Sequence, residues 1–429
     1  MTPEQNTTKP FTSYQVLLIA LLALLQFTVV LDFMVLSPLG DILMKSLNIS
    51  TAQFGWVVSS YAFSAGASGL MAAGFADKFD RKRLLLFFYT GFIIGTLSCA
   101  LANNFWTLLA ARTVTGLFGG VIGAISLAIV TDVFEINQRG RVMGVVQMGF
   151  AASQILGIPI ALYFSNIWGW HAPFLMIVVL AVVIGTVVLL KMQSITGHLK
   201  LQTDKSAFLH LWHALTNKSH QLGFLATALL SVGGFMMMPF GSAYLINNIK
   251  ISQEQLLSVF FFSGMGSIVI MPLIGKLSDK YDKFTLFAVG SVIAAIMIVI
   301  YTHLPPIPLW EVVVINMIMF MGIMGRIIPS TALTTAIPDM ANRGAFMSVN
   351  ASLQQMAGGI AAIAAGLIVT QPNKFGPLQH YDILGYVVCA AIAICLYLVY
   401  KVSQMVKAKA AKPVNLSPVE SYDNLNEVI

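Results

Sequence analysis

The chain has 429 residues, of which 57% are hydrophobic and only 10% charged, with a mean hydropathy of +0.82. Soluble domains carry roughly 25% charged residues, so this composition excludes an ordinary soluble globular protein and makes lipid the expected solvent. The net charge of +7 does not point to nucleic acid, because Lys and Arg gather at the edges of apolar runs rather than in one patch.

A chain in lipid must satisfy its backbone internally, as helices or as a closed barrel. Barrel strands would alternate over about ten residues, whereas the apolar runs here have helix length, so an all-α membrane fold is expected. About 20 apolar residues suffice to cross the hydrocarbon core. Spans are predicted at 14–42, 52–75, 84–102, 105–130, 141–163, 171–192, 221–247, 255–276, 284–302, 309–335, 343–369 and 381–402, which makes twelve.

The start of the chain, Met1 to Gln15, is polar and has no basic n-region, so span 1 is expected to be retained rather than cleaved. The stretch Gln193 to His220, with Lys200, Asp204, Lys205, His210, His213, Lys218 and His220, divides the spans six and six. The expected organisation is therefore a segment 1–13, a six-helix bundle 14–192, a linker 193–220, a second bundle 221–402 and a tail 403–429. Within the linker, Leu209, Leu211 and Trp212 suggest a surface amphipathic helix. Cys99, Cys389 and Cys395 all fall in apolar runs and indicate neither a disulfide framework nor a metal site.

Lys and Arg set the orientation. Nineteen of the 24 lie on the side that holds both termini, three (Lys45, Lys250, Lys374) on the other, and two (Arg112, Arg326) inside spans. Both termini are thus expected to be cytoplasmic, in a cell (inner or plasma) membrane.

The halves repeat each other. Ala76-Asp77-Lys78-Phe79-Asp80-Arg81 after span 2 is matched by Ser278-Asp279-Lys280-Tyr281-Asp282-Lys283 after span 8, 202 residues on. Arg139-Gly140-Arg141-Val142-Met143 at span 5 is matched by Arg343-Gly344-Ala345-Phe346-Met347 at span 11, 204 residues on. Two parallel bundles related by an axis along the membrane normal place a site at their interface near the midplane and let the halves rock around it.

The run Asp77-Lys78-Phe79-Asp80-Arg81-Lys82-Arg83 resembles the signature loop of the major facilitator superfamily, an acid followed by a basic cluster. Its first copy has Ala73 where the family has Gly, and Asp80 where it has a second Gly; the second copy keeps Gly275. Arg112-Thr113-Val114-Thr115-Gly116 in span 4 is similar to the family's Arg-xxx-Gly element, and Leu31-Asp32-Phe33 to the Leu-Asp start of the twelve-helix drug:proton antiporters. In span 5 the antiporter signature is degenerate, offering Gly149, Gly157, Ile158, Pro159 and Ala161. The resemblance covers residues 14 to 402 and implies a proton-coupled secondary transporter of small amphipathic organic compounds, working by alternating access.

Asp32 is the one carboxylate placed deep in a span, and an ionisable group there is a functional candidate by default. Arg112 lies at a similar depth, so proton coupling through this pair and a purely structural ion pair both stand. Arg326 either lines the cytoplasmic half of the pathway or serves a helix end. Asp77, Arg81, Asp279 and Lys283 suggest a cytoplasmic gate or, alternatively, an ordinary solvated loop. Gln26, Tyr61, Gln147, Asn316, Asn350 and Gln354 could contact substrate or bond between helices, and Phe235 and Met238 suit varied apolar shapes or plain packing. Gly116, Gly119, Gly120 and Gly123 suggest close helix approach.

Clustered His, Asp or Glu at one depth, which an embedded enzyme would need, are absent from the sequence, as is a phosphate-binding loop. No enzymatic activity, cofactor, metal or nucleic-acid partner is expected; the expected partners are a small-molecule substrate, protons and the bilayer, with the chain acting as a monomer. The competing expectations are a symporter importing a sugar or organic anion and, from another class, a channel or receptor.

Overall fold

In this computed structural model residues 11–197, 199, 214–339 and 343–411 are described. Twelve long helical segments follow in chain order: α1 Ser13–Val35, α2 Thr51–Phe75, α3 Arg81–Ala100, α4 Phe105–Val133, α5 Ile136–Trp168, α6 His171–Lys191, α7 Lys218–Asn247, α8 Gln253–Lys280, α9 Lys283–Thr302, α10 Leu309–Thr335, α11 Arg343–Ile368 and α12 Tyr381–Ala411. They form two six-helix bundles, α1–α6 and α7–α12, as the duplicated motifs lead one to expect. The proposed linker helix at Leu209, Leu211 and Trp212, with Lys200, Asp204, Lys205, His210 and His213, lies outside the described residues.

Local chemistry sets where the helices begin. Ser50 opens α2, Asn104 α4 and Ser252 α8, each with its side chain accepting from the N3 backbone N–H while the N3 side chain (Gln53, Thr107, Gln255) accepts from the cap's own N–H. Proline breaks three of the expected spans. Span 1, expected to run to 42, stops at Val35, and after a turn containing Pro38 the chain restarts as the short helix Gly40–Leu47. α7 tightens into a 3₁₀ turn at Met238–Phe240 around Pro239, and α5 widens into a π turn at Ser153–Gly157, just before Pro159.

Eleven of the segments are long and apolar enough to cross a membrane on length and composition; α2 is not among them, and α11 has the lowest hydropathy of the eleven, 1.4. These two helices pack against each other between the bundles. α2 carries Ser59, Ser60, Tyr61, Ser64 and Ser68, of which Ser59 donates to Gly359 O of α11 at 2.7 Å. A helix that faces protein needs less apolar surface than one that faces lipid.

The bundles meet in the half of the molecule away from the loops richest in Lys and Arg; that loop side is called the basic face and the other the far face. Near the far face, hydrogen bonds that join the halves include those from Thr51 Oγ1 to Val369 O (2.6 Å), from Ser242 Oγ to Ser37 O (2.7 Å) and from Ser37 Oγ to Met238 O. α5 touches α8 through its far half, where Gly264 lies against the backbone of Gln154 and Ile155. Toward the basic face, Gln147 of α5 and Gln354 of α11 are exposed, each about 17 Å into its helix at 1.5 Å per residue. The far face is therefore closed; deeper, α2 and α11 stay in contact at Gly66 and Gly69, where an added Cβ would lie 2.9 Å from Ser352 O and 3.4 Å from Ser352 Oγ.

Candidate functional site

Asp32, near the far end of α1, is fully buried. Arg112 of α4, seven residues or about 10 Å below the start of its helix, donates from Nη1 to Asp32 Oδ2 at 2.8 Å, and Thr96 Oγ1 of α3 donates to Oδ1 at 3.2 Å. The Arg112 guanidinium also sits over the Tyr61 ring of α2, 4.5 Å from its centroid. Four helices of one bundle thus converge on a single charge pair. Gly116 makes this approach possible, because a Cβ there would lie 2.4 Å from Tyr61 O. The second nitrogen type of the fork, Arg112 Nε, is buried without a hydrogen-bond partner.

The remaining candidates scatter. Phe235 and Met238 of α7 meet Phe33 and Val58 of the other half around a residual gap beneath the far face. Gln26 is half-buried beside Gly123, Gln147 and Gln354 are exposed, Asn316 donates back to Val312 O at 3.0 Å, and Asn350 Oδ1 is buried without a partner. Arg326 lies 17 residues into α10, about 26 Å from its far end, and is only 4% exposed. Among the described residues no carboxylate pairs with it; its surroundings are the Phe287 ring at 5.8 Å and Cys395, and its Nε is unpartnered.

At the basic face the first motif copy is tightly knit. Arg81 donates from Nη2 to Asp77 Oδ1 and from Nε to Asp132 Oδ2, both at 2.8 Å, tying the α2–α3 loop to the end of α4. These bonds lie inside the first bundle, not between the two. Asp80 caps α3 by accepting from Lys82 N at 3.0 Å, and it also accepts from Ser194 Oγ and Ile195 N beyond α6.

The second copy bonds differently. Asp279 is exposed, and among the described residues neither it nor Lys283 is in an ion pair. Asp282, equivalent to Asp80, caps α9 through Thr285 N at 3.1 Å and pairs with Lys407 in the last turns of α12 at 2.7 Å. The Lys407 hydrogen bond holds the Asp282 carboxyl below the usual carboxylate range. A depressed carboxyl stabilises the contact above its unfolded value near 3.9 and loses that contribution as pH falls through the folded value. Hydrogen exchange over residues 403–411 is thus expected to quicken below about pH 4, and in Lys407→Ala to be fast at neutral pH as well.

Sequence reasoning missed a second cluster, at the far face. Asp41 is fully buried in the short helix after α1; Lys45 Nζ donates to its Oδ2 at 2.7 Å, and Asn247 Nδ2 of α7 donates to its Oδ1 at 2.6 Å. Lys45 also donates to Asn247 Oδ1 at 3.1 Å, so an acid, a base and an amide lock the two halves together. The spacing Asp41-Lys45 is an i,i+4 pair visible in the sequence, but Asn247 lies in the other half. Removing a hydrogen bond to a charged group costs ~1.5–3 kcal/mol. Asn247→Ala should accordingly raise far-side labelling of Val58→Cys by an impermeant maleimide about ten-fold or more, and unchanged labelling would show that the cluster does not hold the face shut.

This arrangement has counterparts among known proteins. The chain is 24% identical over 283 residues to the "Uncharacterized MFS-type transporter YceJ" of Bacillus subtilis (strain 168), a match covering 66% of this chain and 71% of that one. It is 26% identical over 264 residues to the "Probable sugar efflux transporter" of Helicobacter pylori (strain ATCC 700392 / 26695), covering 61% of this chain and 66%, just under two thirds, of that one. The fold is shared with a bacterial homologue of the human lysosomal transporter Spinster in an inward-facing, unoccupied conformation (TM-score 0.76, 14% identity, 94% of this chain and 100% of that one). It is shared also with the nucleoside transporter NupG (TM-score 0.73, 14% identity, 90% and 99%). Residues 22–414 match the model of the Major Facilitator Superfamily, and this chain of twelve helical segments with duplicated loops and two bundles belongs to that family of membrane transporters.

Proposed function

We propose that the chain is a proton-coupled secondary transporter that exports small amphipathic organic compounds by alternating access, with Asp32 as the proton carrier and Arg112 as its charge partner. The carrying observation is the fully buried pair at 2.8 Å, placed where four helices of one half converge. A carboxylate with a guanidinium partner favours its charged form and burial favours its neutral form, so a rocking motion that changes either one loads or releases a proton. Substrate then contacts Phe235, Met238, Asn350 and Gln354 from the second half and Gln26, Tyr61 and Gln147 from the first. Asp77 and Arg81 act with Asp279 and Lys283 at the gate on the basic face. That face is cytoplasmic on the balance of Lys and Arg, both termini with it, and the chain works as a monomer in the cell membrane. Export also accords with the word efflux in the name of the Helicobacter relative.

Proteoliposomes with an imposed pH gradient test this directly. Lipophilic compounds should move against their gradient with counterflow of protons, and Asp32→Asn should still bind substrate but lose accumulation. Undiminished coupling in that variant would overturn the assignment.

One observation favours a second reading, import of a sugar or organic anion by symport: Arg326 is buried and, among the described residues, no carboxylate pairs with it, and an unpaired charge in the membrane is costly. Substrate accumulation that falls when the gradient is collapsed, together with loss of anion uptake in Arg326→Gln, would select it.

A further inference from the structure

The charge pair and the closed face are joined by aromatic rings. Tyr61 lies under the Arg112 guanidinium at 4.5 Å and packs on Phe33 with ring centroids 5.3 Å apart. Phe33, the residue after Asp32, packs in turn on Phe235 of α7 at 5.7 Å. The last contact crosses from one bundle to the other. It sits directly below the far-face seam, where Phe33, Ser37, Phe235 and Met238 leave a gap of about 10 Å³, room for at most a single water. Tyr61 is 3% exposed, so its ring cannot move without moving what it touches.

We infer that Tyr61 is the positioning residue of the coupling pair and that Tyr61, Phe33 and Phe235 form the relay by which the charge on Asp32 opens or closes the far face. The inference rests on the proton-coupled reading above. While Asp32 is charged, Arg112 is held between carboxylate and ring, and the ring is fixed in the position that seats Phe33 on Phe235. Protonation of Asp32 removes the charge that anchors Arg112 on one side. The guanidinium then repositions over its remaining aromatic partner, and Tyr61 shifts with it, because cation and ring face are attracted in a desolvated site. Phe33 and Phe235 belong to opposite halves, so their contact exists only in the far-closed state. A stack that is complete in one state and broken in the other gives Asp32 a differential hold on the two, which is what a ligand, here a proton, needs in order to shift a conformational equilibrium.

The titratable groups that face Asp32 are Arg112 from α4, Tyr61 from α2 and Cys99 from α3; Thr96 is a neutral donor, and α7 contributes Phe235 and no charge. Asp32→Asn is the control for this cluster, and Asp41→Asn is the control for the other carboxyl at the far face, which Lys45 and Asn247 hold at the seam itself.

The test uses the full chain in nanodiscs, with Cys99, Cys389 and Cys395 replaced by Ala and spin labels at Asn103→Cys and Lys374→Cys, exposed far-face positions in different halves. Distance distributions are recorded as a function of pH. The open-to-closed ratio should change with pH in the parent and not in Asp32→Asn. Tyr61→Phe should keep the response, and Tyr61→Leu should reduce it about thirty-fold, the size expected of one desolvated cation–ring contact. Phe33→Leu, which leaves the contact of Asp32, Arg112 and Tyr61 in place, should lose the response as well and serves if Tyr61→Leu does not fold. A responsive parent with an equally responsive Tyr61→Leu or Phe33→Leu overturns the relay alone. So does loss of the response in Tyr61→Phe to the extent seen in Tyr61→Leu. A parent indifferent to pH, or an Asp32→Asn protein that still responds when Asp41→Asn is added, overturns the coupling reading and the relay with it.

Discussion

Arg112→Gln is expected to destabilise the first bundle by ~3–5 kcal/mol, because it leaves the carboxylate of Asp32 buried without its counter-charge. Adding Asp32→Asn should recover most of that loss, since a neutral amide facing a neutral amide has no uncompensated charge to bury. The comparison separates two roles that the pair could combine. Unfolding in mixed micelles reports the structural part, and proton counterflow in proteoliposomes reports the coupling part. The double variant is expected to be stable and uncoupled. If Arg112→Gln unfolds like the parent, the ion pair is not the internal support that its burial implies.

The second large effect concerns the seam between bundles. A Cβ on Gly55 would lie 2.7 Å from Ala362 O, and one on Gly366 would lie 2.7 Å from Thr51 O, both against backbone of the opposite half. Valine at either position clashes only when the far face is closed, so the penalty falls on one conformation. Overpacking typically costs ~1–3 kcal/mol, which as a bias between two states is about 5–150-fold. Gly55→Val and Gly366→Val should therefore fold normally, rest open at the far face and transport at least about ten-fold more slowly. Gly144→Ala, with nothing within 4 Å of the added carbon, is the matched control. Accessibility of Val58→Cys to an impermeant reagent from the far side checks the first claim, and transport rate the second; normal transport by either valine variant would mean that the seam yields.

How far the site could be foreseen depends on the residue. Asp32 and Arg112 stood out because charge inside an apolar run is costly wherever the helices go, and helical rise alone placed them at matching depth. Thr96 and Asp132, which complete the two bonded clusters of the first half, carried no such mark: one is an ordinary polar residue in α3, the other an acid at the end of α4. Asp80, a departure from the family pattern, turns out to be the N-cap of α3, and its repeat Asp282 caps α9. The two motif copies nevertheless bond differently. Arg81 is gripped by Asp132, whereas 202 residues beyond Asp132 stands Thr334, so Lys283 finds no second acid.

Composition, apolar periodicity and the internal repeat were enough for the solvent, the number of spans and the pairing of halves, because each depends on quantities summed over many residues, such as hydropathy over a span's length or charge over a set of loops; the family was legible only through the resemblance of the loop Asp77 to Arg83 and of the elements at Asp32 and Arg112. Which face each helix turns inward was not accessible in this way. Tyr61 under Arg112, Asn247 across from Asp41 and Phe33 against Phe235 are contacts between residues 51, 206 and 202 positions apart. They depend on the rotation and tilt of whole helices, which close packing against several neighbours sets at once and which no local pattern encodes.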